Sequence, residues 1–402
     1  MTIKYLRLIT TAALLLAAVV VFGQKEGVGI NLSLWNKVST QPKESKKPVL
    51  FNLGLISNQH KLHGLGINIF GSNNQTTKGV AISGLYNISD TISGISIAGL
   101  AQIIGTKSQG LTLSGLTNIV GEDQLGIIGS GLVNLVGNDI KGLAVAGIIN
   151  ANGDDLYGVS FSGLADFTGS NTYGLSFGGL VNIIGEANNG VAIAGLVTIA
   201  NQNRGLSLAG LINISEDSKG VQLSPINVSG RVDGLQIGLF NFYDGQGKAF
   251  QIGLINMNPN TKVQLLAYGG NRTKLNFALR FKNKHFYNIL GVGSPAYLKF
   301  KDKFSASLLY RTGTYVSLGK YIDLGADIGF QHINTVKNRD KENGIPHRMY
   351  ALEGRGNVEI NISKRIALIG SVGYGTTRWY NKSKTFKKGM IYEAGLSYTL
   401  NK

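Results

Sequence analysis

The sequence contains no cysteine and only six prolines among 402 residues. Without cysteine the chain can form neither a disulfide nor a thiolate metal site. Beyond the N-terminus, no apolar run approaches the roughly 18 to 20 residues that a membrane-spanning helix needs. Helix signals are also missing, because 56 glycines are spread along the chain and each costs a helix interior roughly 1 kcal/mol. The sequence therefore predicts an all-β protein.

The N-terminus has the pattern of a secretory signal. Lys4 and Arg7 precede an apolar run from Leu8 to Phe22, which is too short for a comfortable membrane span. We expect cleavage close to Gln24, and no cysteine follows that could carry a lipid anchor. The protein is therefore predicted to be exported, to the outer membrane or cell surface, with the periplasm as the alternative.

Charge is unevenly distributed along the chain. Residues 64–261 hold 7 basic and 12 acidic side chains, whereas residues 262–402 hold 24 basic and 8 acidic ones. A basic C-terminal third suits anionic partners such as lipopolysaccharide or anionic lipid. Because an exported protein seldom meets nucleic acid, we expect no nucleic-acid partner.

A glycine-led phrase recurs between residues 64 and 258. It reads Gly79-Val-Ala-Ile-Ser-Gly-Leu-Tyr-Asn-Ile in one copy and Gly110-Leu-Thr-Leu-Ser-Gly-Leu-Thr-Asn-Ile in another. With the leading glycine as position 1, position 7 is nearly always Leu and position 9 is usually Asn. Leading glycines lie 14 to 16 residues apart, and a fixed short period indicates stacked copies of one unit.

Two architectures fit this repeat. In a β-solenoid each copy forms one coil, and asparagines at one position can pass amide hydrogen bonds along the stack. The copies at Gly234 and Phe250 lack position 5. Such a loss inside a straight strand would turn every later side chain to the opposite face, so we expect a corner between positions 4 and 6. Positions 2, 4, 8 and 10 are all apolar, which also suits a membrane strand. One large antiparallel barrel is therefore the alternative to a solenoid.

The C-terminal segment contains about eight runs of alternating apolar residues. Short links and long basic links alternate between the runs, as in a small outer-membrane barrel. Aromatic residues near the predicted strand ends, among them Phe286, Tyr287 and Tyr321, suit a belt at the membrane–water interface. The runs lie near 262–269, 273–282, 285–293, 304–318, 321–333, 348–362, 365–379 and 388–400.

Four segments follow from these patterns. Residues 1–23 are the signal, and residues 24–63 are a lead-in or cap. Residues 64–258 form the predicted β-solenoid of 15- to 16-residue coils. Residues 259–402 form an antiparallel domain resembling an outer-membrane barrel, with a soluble antiparallel sheet as the alternative.

The repeats resemble those of a bacterial family described as surface-repeat-containing proteins. The likeness is carried by Gly234-Leu-Gln-Ile-Gly-Leu-Phe-Asn, by Phe250-Gln-Ile-Gly-Leu-Ile-Asn and by the segment from Val263 to Gly293. Most copies depart from the family pattern, because Ser or Ala replaces Gln at position 3. The resemblance implies an exported, envelope-associated protein. It implies no established activity and no functional residues.

No catalytic or metal-binding set is evident. His60 and His63, in a predicted loop, lack a third ligand. The acidic pairs Glu122–Asp123, Asp154–Asp155 and Glu216–Asp217 fall in predicted turns, where acidic residues are common for backbone reasons. We therefore predict no enzyme activity, no cofactor and no metal.

The best interaction candidates are basic residues in the long C-terminal links. We predict that they contact an anionic surface. We favour a non-enzymatic envelope protein, a repeat scaffold for contact or adhesion anchored at the outer membrane, with the membrane or lipopolysaccharide as partner and a protein or glycan ligand as a further candidate. An outer-membrane channel and a carbohydrate-active enzyme on a β-helix are the alternatives. The candidate residues are Lys299, Lys301, Lys303, Lys337, Arg339, Lys341, Lys382, Lys384, Lys387 and Lys388.

Overall fold

A computed structural model confirms the predicted fold class. The chain forms a parallel β-solenoid of about 12 turns and a closed barrel of eight antiparallel strands, so a single large barrel is wrong. Two compact units are present, Met1–Leu235 and Gln236–Lys402. No helix in the described part of the chain has the length and apolarity to cross a bilayer. The predicted signal lies outside the described residues, which are 29–35, 38–41, 45–295, 303–338, 348–380 and 385–401.

The solenoid strands are mostly short and pair in parallel with the next coil. They are β1 (Ile30–Trp35), β2 (Val38–Ser39), β3 (Val49–Ser83), β4 (Tyr86–Ala98), β5 (Ala101–Ser114), β6 (Thr117–Val120), β7 (Gln124–Ser130), β8 (Val133–Val136), β9 (Ile140–Ala146), β10 (Ile149–Asn152), β11 (Leu156–Ser162), β12 (Ala165–Thr168), β13 (Thr172–Gly178), β14 (Val181–Asn188), β15 (Val191–Ala194), β16 (Val197–Asn203), β17 (Leu206–Ala209), β18 (Ile212–Ser218), β19 (Val221–Leu223), β20 (Ile226–Val232), β21 (Leu235–Ile237), β22 (Phe240–Tyr243), β23 (Phe250–Ile252) and β24 (Ile255–Met257).

Each coil has two strand segments joined by a bend. In the coil led by Gly142, β9 ends at position 5, a bend occupies Gly147 and Ile148, and β10 follows. The bend thus lies at positions 6 and 7, slightly later than predicted. In the copy led by Gly234, β21 ends at position 4 and the bend begins at Gly238. The missing residue is therefore the last of a strand, and its loss leaves the facing of the next strand unchanged.

Glycine leads each repeat because neighbouring coils approach closely there. Gly174 has a φ of +147°, and a Cβ placed on it would lie 2.0 Å from the carbonyl oxygen of Gly158 in the preceding coil. A side chain at position 1 would therefore meet both backbone strain and a steric clash. This explains the periodic glycine without any functional role.

The position 9 asparagines form the expected ladder inside the solenoid. Asn118 donates from Nδ2 to Oδ1 of Asn134, and Asn134 donates to Asn150 in the same way, each at 2.8 Å. The ladder has a counterpart near the start of the described chain, where Asn31 donates to Asn52 and Asn52 to Asn68. Parallel stacking therefore begins within the segment that we predicted as a lead-in.

The barrel strands lie close to the eight predicted runs. Each strand pairs antiparallel with its neighbours, and β25 pairs with β32 to close the barrel. The strands are β25 (Lys262–Gly270), β26 (Thr273–Lys282), β27 (Phe286–Pro295), β28 (Lys303–Leu318), β29 (Ile322–Asn338), β30 (Arg348–Asn361), β31 (Ile366–Trp379) and β32 (Thr385–Thr399).

The two ends of the barrel differ in the length of their links. The short-turn end holds the start of β25, the end of β32 and three brief links, at 283–285, 319–321 and 362–365. The long-link end holds one two-residue turn, at 271–272, and the longer links at 296–302, 339–347 and 380–384. The chain therefore enters and leaves the barrel at the short-turn end.

Candidate functional site

The barrel interior is charged. Five cations and five carboxylates are buried in this part of the chain, and the five carboxylates are all those that the structure describes after residue 261. Because these ten charges balance, the positive excess of the segment comes from its other residues. The ten are Arg272, Arg280, Lys282, Arg311, Arg355, Asp323, Asp327, Glu353, Glu359 and Glu393.

Arg355 is the centre of one buried network. Its Nε donates to Oδ1 of Asp327 at 3.0 Å and its Nη2 donates to Oδ2 at 2.9 Å, while Nη1 donates to Glu393. Nearby, Arg311 donates to Glu353 at 2.5 Å. A buried ion is tolerated only when oppositely charged groups and hydrogen bonds surround it, and Arg355 has both.

A second network lies closer to the short-turn end. Lys282 donates to Asp323 and to Glu359, both at 2.5 Å, and Arg280 shares Glu359. Tyr287 donates to Asp327 at 3.1 Å and is buried inside the barrel. The prediction of Tyr287 as an interfacial aromatic is therefore wrong, because its place in the alternation of β27 turns it inward.

Side chains close the barrel interior. An internal space within the networks measures about 30 Å³ and is lined by Tyr287, Asp327, Arg355 and their neighbours. That volume holds only one or two water molecules. Eight strands enclose a space just wide enough for side chains to fill, so the ion pairs plug the barrel at this level.

The barrel exterior is apolar. Along β30, Glu353 and Arg355 point inward, whereas Leu352 before them and Val358 after them are 47% and 42% exposed. A water-soluble protein has the opposite polarity, with aliphatic side chains inside and charges outside. Charge inside and apolar residues outside define a membrane-spanning β-barrel.

Aromatic side chains mark both edges of the apolar band. Phe286, Tyr321 and Tyr398 are exposed at the short-turn end. Near the long-link end, the rings of Tyr350 and Tyr380 pack 5.0 Å apart. Amphipathic rings favour the headgroup level of a bilayer, so these two groups fit the two membrane surfaces.

The ten basic residues predicted as contacts all belong to the long links or to adjoining strand ends. Lys303 begins β28 and Lys337 lies near the end of β29. Lys387 and Lys388 are exposed in β32. Chain order therefore assigns the whole set to the long-link end. The other six, Lys299, Lys301, Arg339, Lys341, Lys382 and Lys384, lie outside the described residues.

The solenoid also carries apolar side chains outside. Position 7 of successive coils forms a row, here called the leucine ridge, whose leucines are 39% to 48% exposed. Outward positions 2, 4, 8 and 10 flank it and are mainly Ile, Val, Leu and Phe. The ridge leucines in the first unit are Leu85, Leu100, Leu116, Leu132, Leu164, Leu180, Leu196 and Leu211.

Charged residues of the solenoid are confined to one edge. From Gly79 to Ser229, positions 1 to 11 contain a single charged residue, Asp166, and it is buried. All other charges between Gly79 and Ser229 lie after position 11 of one copy and before the leading glycine of the next, here called the charged edge. Positions 2 and 4 lie on one strand segment of each coil, and positions 8 and 10 lie on the other, beyond the bend. We call these positions, together with the ridge between them, the uncharged face. The solenoid is thus amphipathic along its length.

Some acidic residues of the charged edge link neighbouring coils. Asp139 accepts a hydrogen bond from the backbone nitrogen of Asp155 at 3.0 Å, and Asp155 accepts one from Asn171 at 2.9 Å. Each carboxylate therefore links its turn to the next coil. Asp217 forms an ion pair with Arg231 at 3.4 Å. These contacts give Asp155 and Asp217 a structural role. The prediction of a turn at Glu216–Asp217 is wrong, because both residues lie in β18.

Asp166 occupies the asparagine position inside the solenoid. Ser160 and Ser176 donate hydrogen bonds to its two carboxylate oxygens. Burial raises the pKa of Asp166 to about 6, although these hydrogen bonds oppose the shift. This carboxylate interrupts the amide ladder and is a titratable point in an otherwise neutral interior.

The histidine pair lies in a strand. His60 and His63 lie within β3 rather than in a loop, as the sequence had suggested. Among the described residues, no three His, Asp or Glu side chains converge as metal ligands.

No protein-family model and no curated protein matches the chain. Three solved structures are similar to part of it, with low TM-scores. The N-terminal β-barrel domain of OprF from Pseudomonas aeruginosa is 10% identical, covering 34% of this chain and 96% of that chain, with a TM-score of 0.27. Neisserial surface protein A is 8% identical, with coverage of 34% and 94% and a TM-score of 0.25. Ail, the attachment invasion locus protein of Yersinia pestis, is 14% identical, with coverage of 35% and 98% and a TM-score of 0.21.

Such scores carry no weight by themselves, so the membrane assignment rests on the polarity of the barrel. Membership of the surface-repeat family stays a prediction. The buried ion networks were not predicted, although the sequence carries a signal for them. Charged residues such as Arg280, Glu353 and Arg355 alternate with aliphatic ones inside strand-like runs, and that pattern indicates charges facing a barrel interior.

Proposed function

We propose that the protein is a non-enzymatic outer-membrane scaffold whose barrel anchors the solenoid on the periplasmic side. One observation carries the proposal: the chain enters β25 at the short-turn end. Membrane barrels of bacteria have short periplasmic turns and longer external loops. No helix in the described residues before Lys262 is long and apolar enough to cross a bilayer, so we place the repeats on the side on which β25 begins.

The long-link end then faces the outside. The ten candidate basic residues belong to that end, where the phosphates of lipopolysaccharide would meet them.

The plugged interior gives no support to a channel. The contacts made by the acidic turn residues give none to a carbohydrate-active enzyme. Contact within the periplasm is thus favoured over adhesion to an external ligand.

Cysteine labelling in cells tests this placement, because the native chain contains no cysteine. One variant, Asn201→Cys, lies on the charged edge of the solenoid, where Asn201 is exposed. The matched variant, Asn343→Cys, lies in the link between β29 and β30. A membrane-impermeant maleimide should label Asn343→Cys in intact cells. It should label Asn201→Cys only after the outer membrane is permeabilised. Labelling of Asn201→Cys in intact cells would instead place the repeats outside and restore the adhesion hypothesis.

A further inference from the structure

The uncharged face of the solenoid is too large and too apolar to be left in water. The ridge from Leu85 to Leu211 spans eight coil steps, or about 38 Å at the usual strand spacing of about 4.8 Å. Soluble proteins rarely expose continuous apolar patches of more than a few hundred Å². We infer that this face binds the lipid of the periplasmic leaflet of the outer membrane, which makes the solenoid a membrane-surface element. The inference rests on the periplasmic placement proposed above.

The composition of the face favours lipid over a protein partner. Protein interfaces draw their binding energy mainly from Trp, Tyr and Arg, whereas Leu and Val are under-represented among their hot spots. Neither tryptophan nor arginine occurs at positions 1 to 11 between Gly79 and Ser229. The face is instead mainly aliphatic, with a few aromatic residues such as Phe161 and Phe177, which suits a partner that offers acyl chains.

The segregation of charge gives the same result. A structure that lies at a bilayer surface has a strongly polar side in water and an apolar side within the acyl boundary. In the coil led by Gly190, Leu196 lies on the ridge and is 45% exposed. Asn201 and Arg204 lie on the charged edge of the same coil and are exposed. With the uncharged face on lipid, every charged turn remains in water.

The last coils, which belong to the same compact unit as the barrel, also expose apolar side chains. Within the second unit, Phe240, Phe250 and Ile252 are 45%, 49% and 49% exposed. The ring of Phe250 packs edge-on against Phe286, 5.4 Å between centroids. Phe286 begins β27 on the outside of the barrel at the short-turn end. Apolar residues of the last coil therefore start at the periplasmic edge of the apolar band.

Contacts between polar groups fix that junction. Asn256 donates to Oδ1 of Asn288 at 2.9 Å, and the Tyr310 hydroxyl donates to the carbonyl of Gly253 at 3.2 Å. The asparagine ladder of the last coils thus ends on barrel side chains. The final coil is held at the short-turn end, at the level that the aromatic belt assigns to headgroups.

Site-specific quenching in a bilayer tests the inference on the full chain. The single-cysteine variants Leu196→Cys and Asn201→Cys lie in one coil and carry the same fluorophore. Each is reconstituted into phospholipid nanodiscs, in which both membrane faces are open to solvent. We expect lipids with brominated acyl chains to quench the Leu196→Cys probe, which aqueous iodide should barely reach. The Asn201→Cys probe should show the reverse. Leu180→Cys and Glu186→Cys form a second matched pair, in case one label disturbs its coil.

Three results separate the outcomes. A ridge probe that iodide quenches as strongly as the edge probe, with no effect of brominated lipid, overturns lipid binding. A ridge probe protected from both quenchers, with energy transfer between differently labelled copies, also overturns it and assigns the face to a second copy of this chain. Labelling of Asn201→Cys in intact cells defeats the periplasmic placement itself. If Asn201→Cys is protected from maleimide in intact cells but iodide quenches the ridge probe in nanodiscs, only the lipid inference is overturned.

Discussion

The solenoid and the barrel both expose apolar side chains, but the polar groups buried inside them are paired in different ways. Both place polar groups inside and aliphatic groups outside. In the solenoid the interior polar groups are mostly neutral amides and hydroxyls, which lie beside an apolar core that includes Ile104 and Leu156. The ladder partners Asn134 and Asn150 are 16 residues apart. In the barrel they are ions, and Lys282 and Glu359 are 77 residues apart. The solenoid is therefore held by nearest neighbours, and the barrel by contacts that form only on closure.

This difference predicts how each region fails. A defect in one coil should remain local, because each repeat contacts only its neighbours. A defect in the barrel interior should affect the whole barrel, because one ion pair joins strands distant in sequence. The substitutions below test that contrast, from the largest expected effect to the smallest.

Replacement of the central barrel cation should have the largest effect. Arg355→Ala leaves Asp327 and Glu393 buried without their main partner, and loss of one member of a buried ion network costs about 3–5 kcal/mol. We expect a lower temperature for the heat-induced change in gel mobility of the detergent-extracted barrel. Lys320→Ala, at an exposed turn residue of the short-turn end, is the control and should leave that temperature unchanged. Equal behaviour of the two variants would show that the buried ions do not hold the barrel.

A side chain at a stacking glycine should break the solenoid locally. Gly174→Ala combines strained backbone with a clash against Gly158, for an expected loss of about 3 kcal/mol. Limited proteolysis should cut near the affected coils, while the gel mobility of the barrel stays heat-dependent at the native temperature. Gly389→Ala is the matched control, because Gly389 has a φ of +146° but a Cβ added there would have nothing within 4 Å. If Gly174→Ala also lowered the temperature at which heat changes the gel mobility of the barrel, the solenoid and the barrel would not unfold independently.

Asp166→Asn, which restores an amide to the asparagine ladder, should have the smallest effect. Unlike the other substitutions, it should stabilise the fold. The pKa of Asp166 is raised from 3.8 to about 6, so the folded state favours the protonated acid. Stability is therefore greatest below pH 3.8 and falls as the pH rises through about 6. Asp166→Asn should stabilise the solenoid at pH 7.5 by on the order of 2 kcal/mol.

The measurement for Asp166→Asn is urea-induced exposure of the repeats to protease at pH 4.5 and at pH 7.5. The native chain should lose resistance between the two values, and the variant should lose less. Asp154→Asn, at an exposed turn residue of the preceding coil, should retain the native pH dependence. A variant as pH-sensitive as the native chain would rule out Asp166 as the source.

The sequence predicted the fold better than the surfaces. The fixed glycine period and the shortened copy at Gly234 were enough to predict a coil, because both reflect local backbone geometry. The eight barrel runs were found because alternation is also local. Outward facing of the solenoid's apolar positions was not predicted, since periodicity shows that residues share a face without showing which face is inside.

The partners in the ion networks could not be predicted from the sequence, because they meet only in the closed barrel. Arg280 and Glu359 are 79 residues apart, and only strand register brings them together. The basic residues behaved differently. Chain order alone assigns Lys303, Lys337 and Lys387 to one end, so their grouping was accessible from link lengths, whereas their partner stays a prediction.

Heat-modifiable gel mobility of the full chain tests the central claim most directly. The protein is extracted from membranes in mild detergent and run with and without boiling. A closed barrel with an apolar exterior should require detergent for extraction, and the unboiled sample should migrate at a different apparent mass from the boiled one. Release from the membrane by high salt alone, with identical mobility before and after boiling, would contradict a membrane-spanning barrel and with it the periplasmic scaffold.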